Sequence, residues 1–212
     1  MKKSLIKAGV YLVIDPSMEL DALLEKLESA LKAGLSAVQI WDNFKRSDIA
    51  EIISAITKLC QQHQTPILIN NQWEFLNDYG LDGVHFDEVP HEKVIQQLGE
   101  KALLGLTTNN NLATIKWAAE NAFDYISFCS MFPSPTANSC DLVDFESVQK
   151  ARSIFNGPIF LAGGIRPENL NQLQQLEFDG VAVVSGIMSA ENPNAAIKNY
   201  QQKLRTLWDQ QL

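Results

Sequence analysis

The feature that most restricts what this chain can fold into is an alternation. Short apolar runs rich in Val and Ile recur, at 10–14, 37–40, 66–69, 83–85, 102–106, 125–128, 158–161 and 181–184. Each is followed by a longer amphipathic stretch. Leu20, Leu23, Leu24, Leu27 and Leu31 repeat at helical spacing, as do Ile49, Ile52, Ile53 and Ile56 ahead of Leu59 and Cys60. Strands that are apolar on both faces and alternate with helices indicate a parallel sheet with right-handed crossovers. Turn signals at Ala33-Gly34, Tyr79-Gly80 and Asn156-Gly157-Pro158 punctuate the units. Eight units in 212 residues leave about 26 residues each, which suits a single (β/α)8 TIM barrel spanning 1–212. An open doubly wound sheet is the architectural rival, and the count of eight favours the barrel.

Composition narrows the partners. The formal net charge is −8 and the isoelectric point is about 4.9, so polyanionic nucleic acid and anionic membrane surfaces are disfavoured. Any anion bound here must be held by local geometry. Cys60, Cys129 and Cys140 show no CxxC spacing and accompany no secretory signal, which reads as reduced thiols of a cytoplasmic protein. No apolar run reaches the roughly 18 residues of a transmembrane helix. The expected partner is a small-molecule phosphate ester, with the chain a monomer or homodimer.

In this fold the chemistry sits just after each strand. The strongest pattern is the pair of loops after strands seven and eight. FLAGGIRPENL places Gly163 and Gly164 between a strand and a helix start, and VAVVSGIMS ends in Val184, Ser185 and Gly186. Glycine lets backbone N–H groups approach a ligand, and a helix start adds donors and partial positive charge. Phosphate is the expected occupant; tight turns serving chain reversal are the bland alternative.

His85 ends strand four facing the site, as a packed residue or a catalyst, while His63 and His91 fall on helix or helix-start surfaces. Asp15, Asp42, Asp87 and Glu88 could form an acidic rim holding Mg²⁺ through oxygen ligands, although capping and solvated loop charge is the plainer reading. Trp41 could stack on a heteroaromatic ring or close the core, and Trp73, Trp117 and Trp208 look like helix packing. The loop 131–144, MFPSPTANSCDLVD, is long for its class; it is either a disordered surface loop or a lid.

These residues together resemble the thiamine phosphate synthase family, including its thiazole tautomerase branch. YLVID, VQIWDN, ILINNQ, DGVHFDE, LLGLTT, FDYISFCSMFPSPT, FLAGGIRPENL and GVAVVSGI resemble that family's eight strand motifs, in order and at matching spacing. The resemblance implies a barrel that joins an aminopyrimidine methyl diphosphate to a thiazole phosphate, releasing pyrophosphate with Mg²⁺. By that likeness Gln39, His85, Ser134 and Thr136 are catalytic positions. Trp41, Asn43, Asn70, Asn71 and Thr107 would contact substrate, Gly163, Gly164, Val184, Ser185 and Gly186 would grip phosphate, and Asp87 would meet metal.

Departures are concentrated at charged positions. Trp41 and Asn43 stand where the family's QxRxK pattern has Arg and Lys, Asn71 where a metal-binding Asp is usual, and Ala137 where a TxTK pattern has Lys. Near Cys140 there is no His or Lys of the tautomerase cluster. Lys45 and Arg46, just beyond strand two, are the cations that could substitute. Pyrophosphate departure needs concentrated positive charge, so the pattern spares the monophosphate apparatus and removes the diphosphate one. Three readings follow: a synthase with an altered site, a thiazole phosphate tautomerase, or a non-catalytic binder of a phosphorylated ligand. Tryptophan-pathway and pentose-phosphate barrels rank low, because their carboxylate, lysine or paired-histidine placements are missing.

Overall fold

The computed structural model describes residues 6–134 and 141–210. Eight strands, β1 (Gly9–Ile14), β2 (Ala37–Ile40), β3 (Ile67–Asn70), β4 (Gly83–Phe86), β5 (Leu103–Thr107), β6 (Tyr125–Cys129), β7 (Ile159–Ala162) and β8 (Gly180–Val183), close into one barrel. Every neighbouring pair is parallel, including β8 with β1, where Val10 pairs with Val181. Each expected strand is found, with ends shifted by one residue at most.

The helices wrap the outside: α1 (Leu20–Leu31), α2 (Ile49–Gln62), α3 (Phe75–Tyr79), α4 (Glu92–Leu98), α5 (Leu112–Glu120), α6 (Phe145–Ile154), α7 (Ser185–Met188) and α8 (Pro193–Asp209). The unit after β7 is reduced to a 3-10 turn, Leu170–Leu173. Residues alternate between the two sides of each strand. Val10, Leu12 and Ile14 join the large core under the helices, whereas Tyr11 joins the inner cluster with Leu68, Leu103, Tyr125 and Phe160. Gly105 on β5 leaves the space that the Tyr125 ring occupies.

Register at the barrel's lower rim is held by a repeated device. Asp82, Asp124 and Asp179 immediately precede or open β4, β6 and β8, and each reaches back to the strand before it. Their Oδ2 atoms accept from Ile67 N at 2.9 Å, Leu104 N at 2.7 Å and Ile159 N at 2.8 Å. Their own N–H groups donate to the carbonyls of Ile67, Leu104 and Ile159. A two-point clamp of this kind opposes slippage, which in a strand would swap inward and outward faces. Among the described residues no helix is long and apolar enough to cross a membrane.

Candidate active site at the barrel mouth

The strand ends surround a cavity of about 730 Å³. Of the expected positions, it brings together Gln39, Trp41, Asn70, His85, Asp87, Thr107, Ser134, Gly163, Gly164, Val184, Ser185 and Gly186. Asn43 and Asn71 stand at the rim beside it rather than in its lining, and Thr136, Ala137 and Cys140 lie outside the described residues. The lining also includes Tyr11, Tyr125, Ser127 and Arg166, which sequence reasoning missed.

The floor is a continuous polar network. Asn70 Nδ2 donates to Asp87 Oδ2 at 2.8 Å, and Gln39 Nε2 donates to Asn70 Oδ1. Tyr11 Oη donates to Gln39 Oε1 at 2.9 Å and meets Tyr125 Oη at 2.9 Å. His85 touches Tyr125 Oη through Nδ1 and Thr107 Oγ1 through Nε2, both at 2.9 Å, and Thr107 meets Ser127 Oγ at 3.2 Å. Burial pushes His85 down to about 4, against a weaker upward pull from Asp87, so the ring is neutral at pH 7. Burial likewise pushes the Tyr11 and Tyr125 phenols up. Both His85 nitrogens are engaged by side chains of the floor, Nδ1 by Tyr125 and Nε2 by Thr107.

The loops after β7 and β8 form the opposite wall. Gly163 and Gly164 have φ of 86° and 63°, values that favour glycine. Among the described residues, the N–H groups of Gly163, Gly164, Ser185 and Gly186 donate to no protein acceptor. Arg166 lines the same end of the cavity and, among the described residues, forms no ion pair. Four free N–H groups and a guanidinium suit an anion. The glycines also serve packing: a Cβ on Gly164 would lie 2.7–2.8 Å from atoms of Phe132 and Pro133. The loop 131–144 is anchored at its described ends, where Phe132 N donates to Gly163 O at 3.1 Å and Asn110 Nδ2 to Leu142 O at 3.0 Å.

The acidic rim is partnered by amides. Asn43 Nδ2 donates to Asp15 Oδ1 at 3.1 Å. Asn71 Nδ2 lies 3.0 Å from Asp42 Oδ2 and 2.9 Å from Asp87 Oδ2. An amide donor thus sits where a cation would bridge those two carboxylates. Among the described residues no three His, Cys, Asp or Glu side chains gather as a metal cluster, and the donor set fits Mg²⁺ poorly. Arg46 is already held by Asp48 at 2.8 and 2.6 Å and by Met18 O at 2.8 Å, which argues against it as a stand-in cation.

His63 caps the C-terminus of α2 and His91 the N-terminus of α4. Trp117 packs on Phe123 and Trp208 faces Phe178. Trp73 precedes α3 rather than lying in a helix, although it too packs against the core.

A family model for thiamine monophosphate synthase matches residues 10–187. The thiamine-phosphate synthase of Halorhodospira halophila is 30% identical over 194 residues, covering 90% of this chain and 91% of that protein. That of Methanobrevibacter smithii is 28% identical over 194 residues, covering 90% and 92%. Among solved structures, the thiamine phosphate pyrophosphorylase of Pyrococcus furiosus superposes with a TM-score of 0.79 at 20% identity, covering 95% of this chain and 98% of that one. The orotidine 5'-phosphate decarboxylase of Pyrococcus horikoshii shares the fold at a TM-score of 0.69 and 14% identity, covering 92% and 99%.

Proposed function

Because this chain belongs to the thiamine monophosphate synthase family, we propose that its barrel mouth binds a phosphorylated thiazole or thiamine compound of thiamine biosynthesis. The phosphate lies on the loops after β7 and β8, and the ring lies over the floor built by Gln39, Tyr11 and Thr107. One observation carries this reading: among the described residues the N–H groups of Gly163, Gly164, Ser185 and Gly186 have no protein acceptor, and all four residues line the same cavity. Anions held by fixed backbone donors need no net positive protein, which fits a chain of charge −8.

The joining of aminopyrimidine diphosphate to thiazole phosphate is the family reaction, and this chain is poorly equipped for it. A departing pyrophosphate needs cations, yet Trp41, Asn43, Asp15 and Asp42 line the rim where they would be wanted. The family is generally Mg²⁺-dependent, whereas the Asn71 amide occupies the bridging position here. The site supports binding of a monophosphate more strongly than catalysis of the joining step.

Calorimetry with thiazole phosphate, thiamine phosphate and their dephosphorylated alcohols tests this. The esters should bind at least about tenfold more tightly than the alcohols, a charge-assisted difference of about 1.4 kcal/mol or more. Equal affinity for ester and alcohol overturns the phosphate assignment.

A further inference from the structure

The polar floor has a direction, and proton counting reveals it. An amide nitrogen only donates and an amide oxygen only accepts. Asn70 gives its Nδ2 to Asp87 at 2.8 Å, so its Oδ1 is the atom that faces Gln39 and accepts from Gln39 Nε2. Gln39 Oε1 is then left to Tyr11, whose hydroxyl donates to it at 2.9 Å. A phenol carries one hydrogen. Tyr11 has already used its own, so the 2.9 Å contact with Tyr125 is made by the Tyr125 hydrogen. Tyr125 has none left for His85, and the 2.9 Å contact with Nδ1 requires a proton on the ring.

We infer that Asp87 is a positioning residue that fixes the proton of neutral His85 on Nδ1, acting through Asn70, Gln39, Tyr11 and Tyr125. Asn71 steadies the origin of the chain: its Nδ2 reaches Asp87 Oδ2 at 2.9 Å, and its Oδ1 accepts from Asp87 N at 3.0 Å. Beyond His85 the count continues. Nε2 accepts from the Thr107 hydroxyl at 2.9 Å, and Thr107 accepts from Ser127 at 3.2 Å. The wall formed by Thr107 and Ser127 therefore has no hydroxyl hydrogen to offer a ligand and presents lone pairs only. All of these hydrogens belong to the chain itself, and their placement is the same whichever phosphate ester binds.

The test is long-range proton–nitrogen NMR on protein carrying ¹⁵N-histidine, at neutral pH, with His85 signals identified by their loss in His85→Gln. In the unmodified chain Nδ1 should be protonated and Nε2 bare. A proton found on Nε2 overturns the inference without any variant. Tyr11→Phe breaks the chain and frees Tyr125 to donate to Nδ1, so a population with the proton on Nε2 should appear. Asp87→Asn, at the exposed end, should do the same, because a carboxamide accepts either orientation of Asn70. An unchanged tautomer in both variants overturns the relay from Asp87. Thr107→Val should leave the proton on Nδ1. A switch there shows that Thr107 sets the tautomer and overturns the relay as well.

Discussion

The hydroxyl of Tyr200, on α8, donates a 2.9 Å hydrogen bond to the carbonyl of Ile165, the residue that follows the Gly163-Gly164 turn. The same hydroxyl fills the space where Gly186 would carry a Cβ. One buried side chain thereby touches both of the loops that follow β7 and β8 at the cavity. Gly186→Ala should cost about 1–3 kcal/mol by overpacking and weaken phosphate-ester affinity. Tyr200→Phe alone should cost about 1 kcal/mol by orphaning the Ile165 carbonyl. The double variant should lose less than the sum of the two, by about 0.5 kcal/mol or more in a double-mutant cycle measured by urea unfolding. Strict additivity would refute the coupling.

A carboxylate placed at the anion end should abolish ester binding, but its position matters. Gly164→Asp would push into Phe132 and Pro133, so lost binding there would be confounded by a disturbed loop. Ser185 is exposed at the cavity wall. Ser185→Asp should therefore leave the circular dichroism spectrum intact and reduce affinity at least about tenfold. Retained affinity would show that the phosphate lies elsewhere.

His85 makes stability depend on pH. Its ordinary value is about 6.5, and burial holds it down to about 4 in the folded chain. Between those values the unfolded chain takes up a proton that the folded chain refuses, so stability falls as pH drops from about 6.5 to about 4, by at most about 3 kcal/mol. His85→Gln removes this contribution. The stability gap between the unmodified chain and the variant, from urea unfolding, should narrow across that window; a constant gap would refute the assignment.

Asn71→Asp should change the metal chemistry of the rim. Three carboxylates, from Asp42, residue 71 and Asp87, would replace two bridged by an amide. Without metal the added repulsion should lower the melting temperature. Millimolar Mg²⁺ should restore it in the variant while leaving the unmodified chain nearly unchanged. Equal responses of both chains would show that the amide does not block the site.

Synthase turnover should be very low in the unmodified chain when the two family substrates are supplied. Trp41→Arg, Asn43→Lys, Asn71→Asp and Ala137→Lys together should raise it, and single changes should do little, because groups acting as one unit are non-additive. Trp41 is half-buried, so circular dichroism must confirm folding before activity is read. Robust turnover by the unmodified chain would show that other residues supply the charge.

Much of the barrel is legible because strands buried on both faces leave uninterrupted Val and Ile runs. The one-residue shifts occur where pairing extends into residues of another character, as at Asn70, Thr107 and Cys129. After β7 the leucines recur every three residues, at 170, 173 and 176, rather than at the three-and-four spacing of the other helices, and there the chain forms only a 3-10 turn. At the site, glycines and unusual amides stand out in a sequence, but inward-facing aromatics do not. Tyr11 and Tyr125 read as core, although counting alternate residues from Val10 and Leu12 would have turned Tyr11 inward. Arg166 was hidden behind the turn residues around it. The clamps of Asp82, Asp124 and Asp179 were readable as a recurring apolar-Asp pair at the strand starts.

The Tyr11–Tyr125 contact joins residues 114 apart in the chain. At a synthesis rate of about 5–20 residues per second, roughly 6–23 s separate the emergence of the two partners. Until β6 arrives, the half-made barrel has a Tyr11 hydroxyl with no phenol to meet and a His85 with no fixed tautomer. The relay draws on β1 to β4 and on β6, so the binding floor has all its partners only once the chain has been made through Tyr125. A truncated product carrying only the first five strands would display their hydrophobic faces without acquiring the site, and would be a substrate for proteolysis rather than a partly working protein.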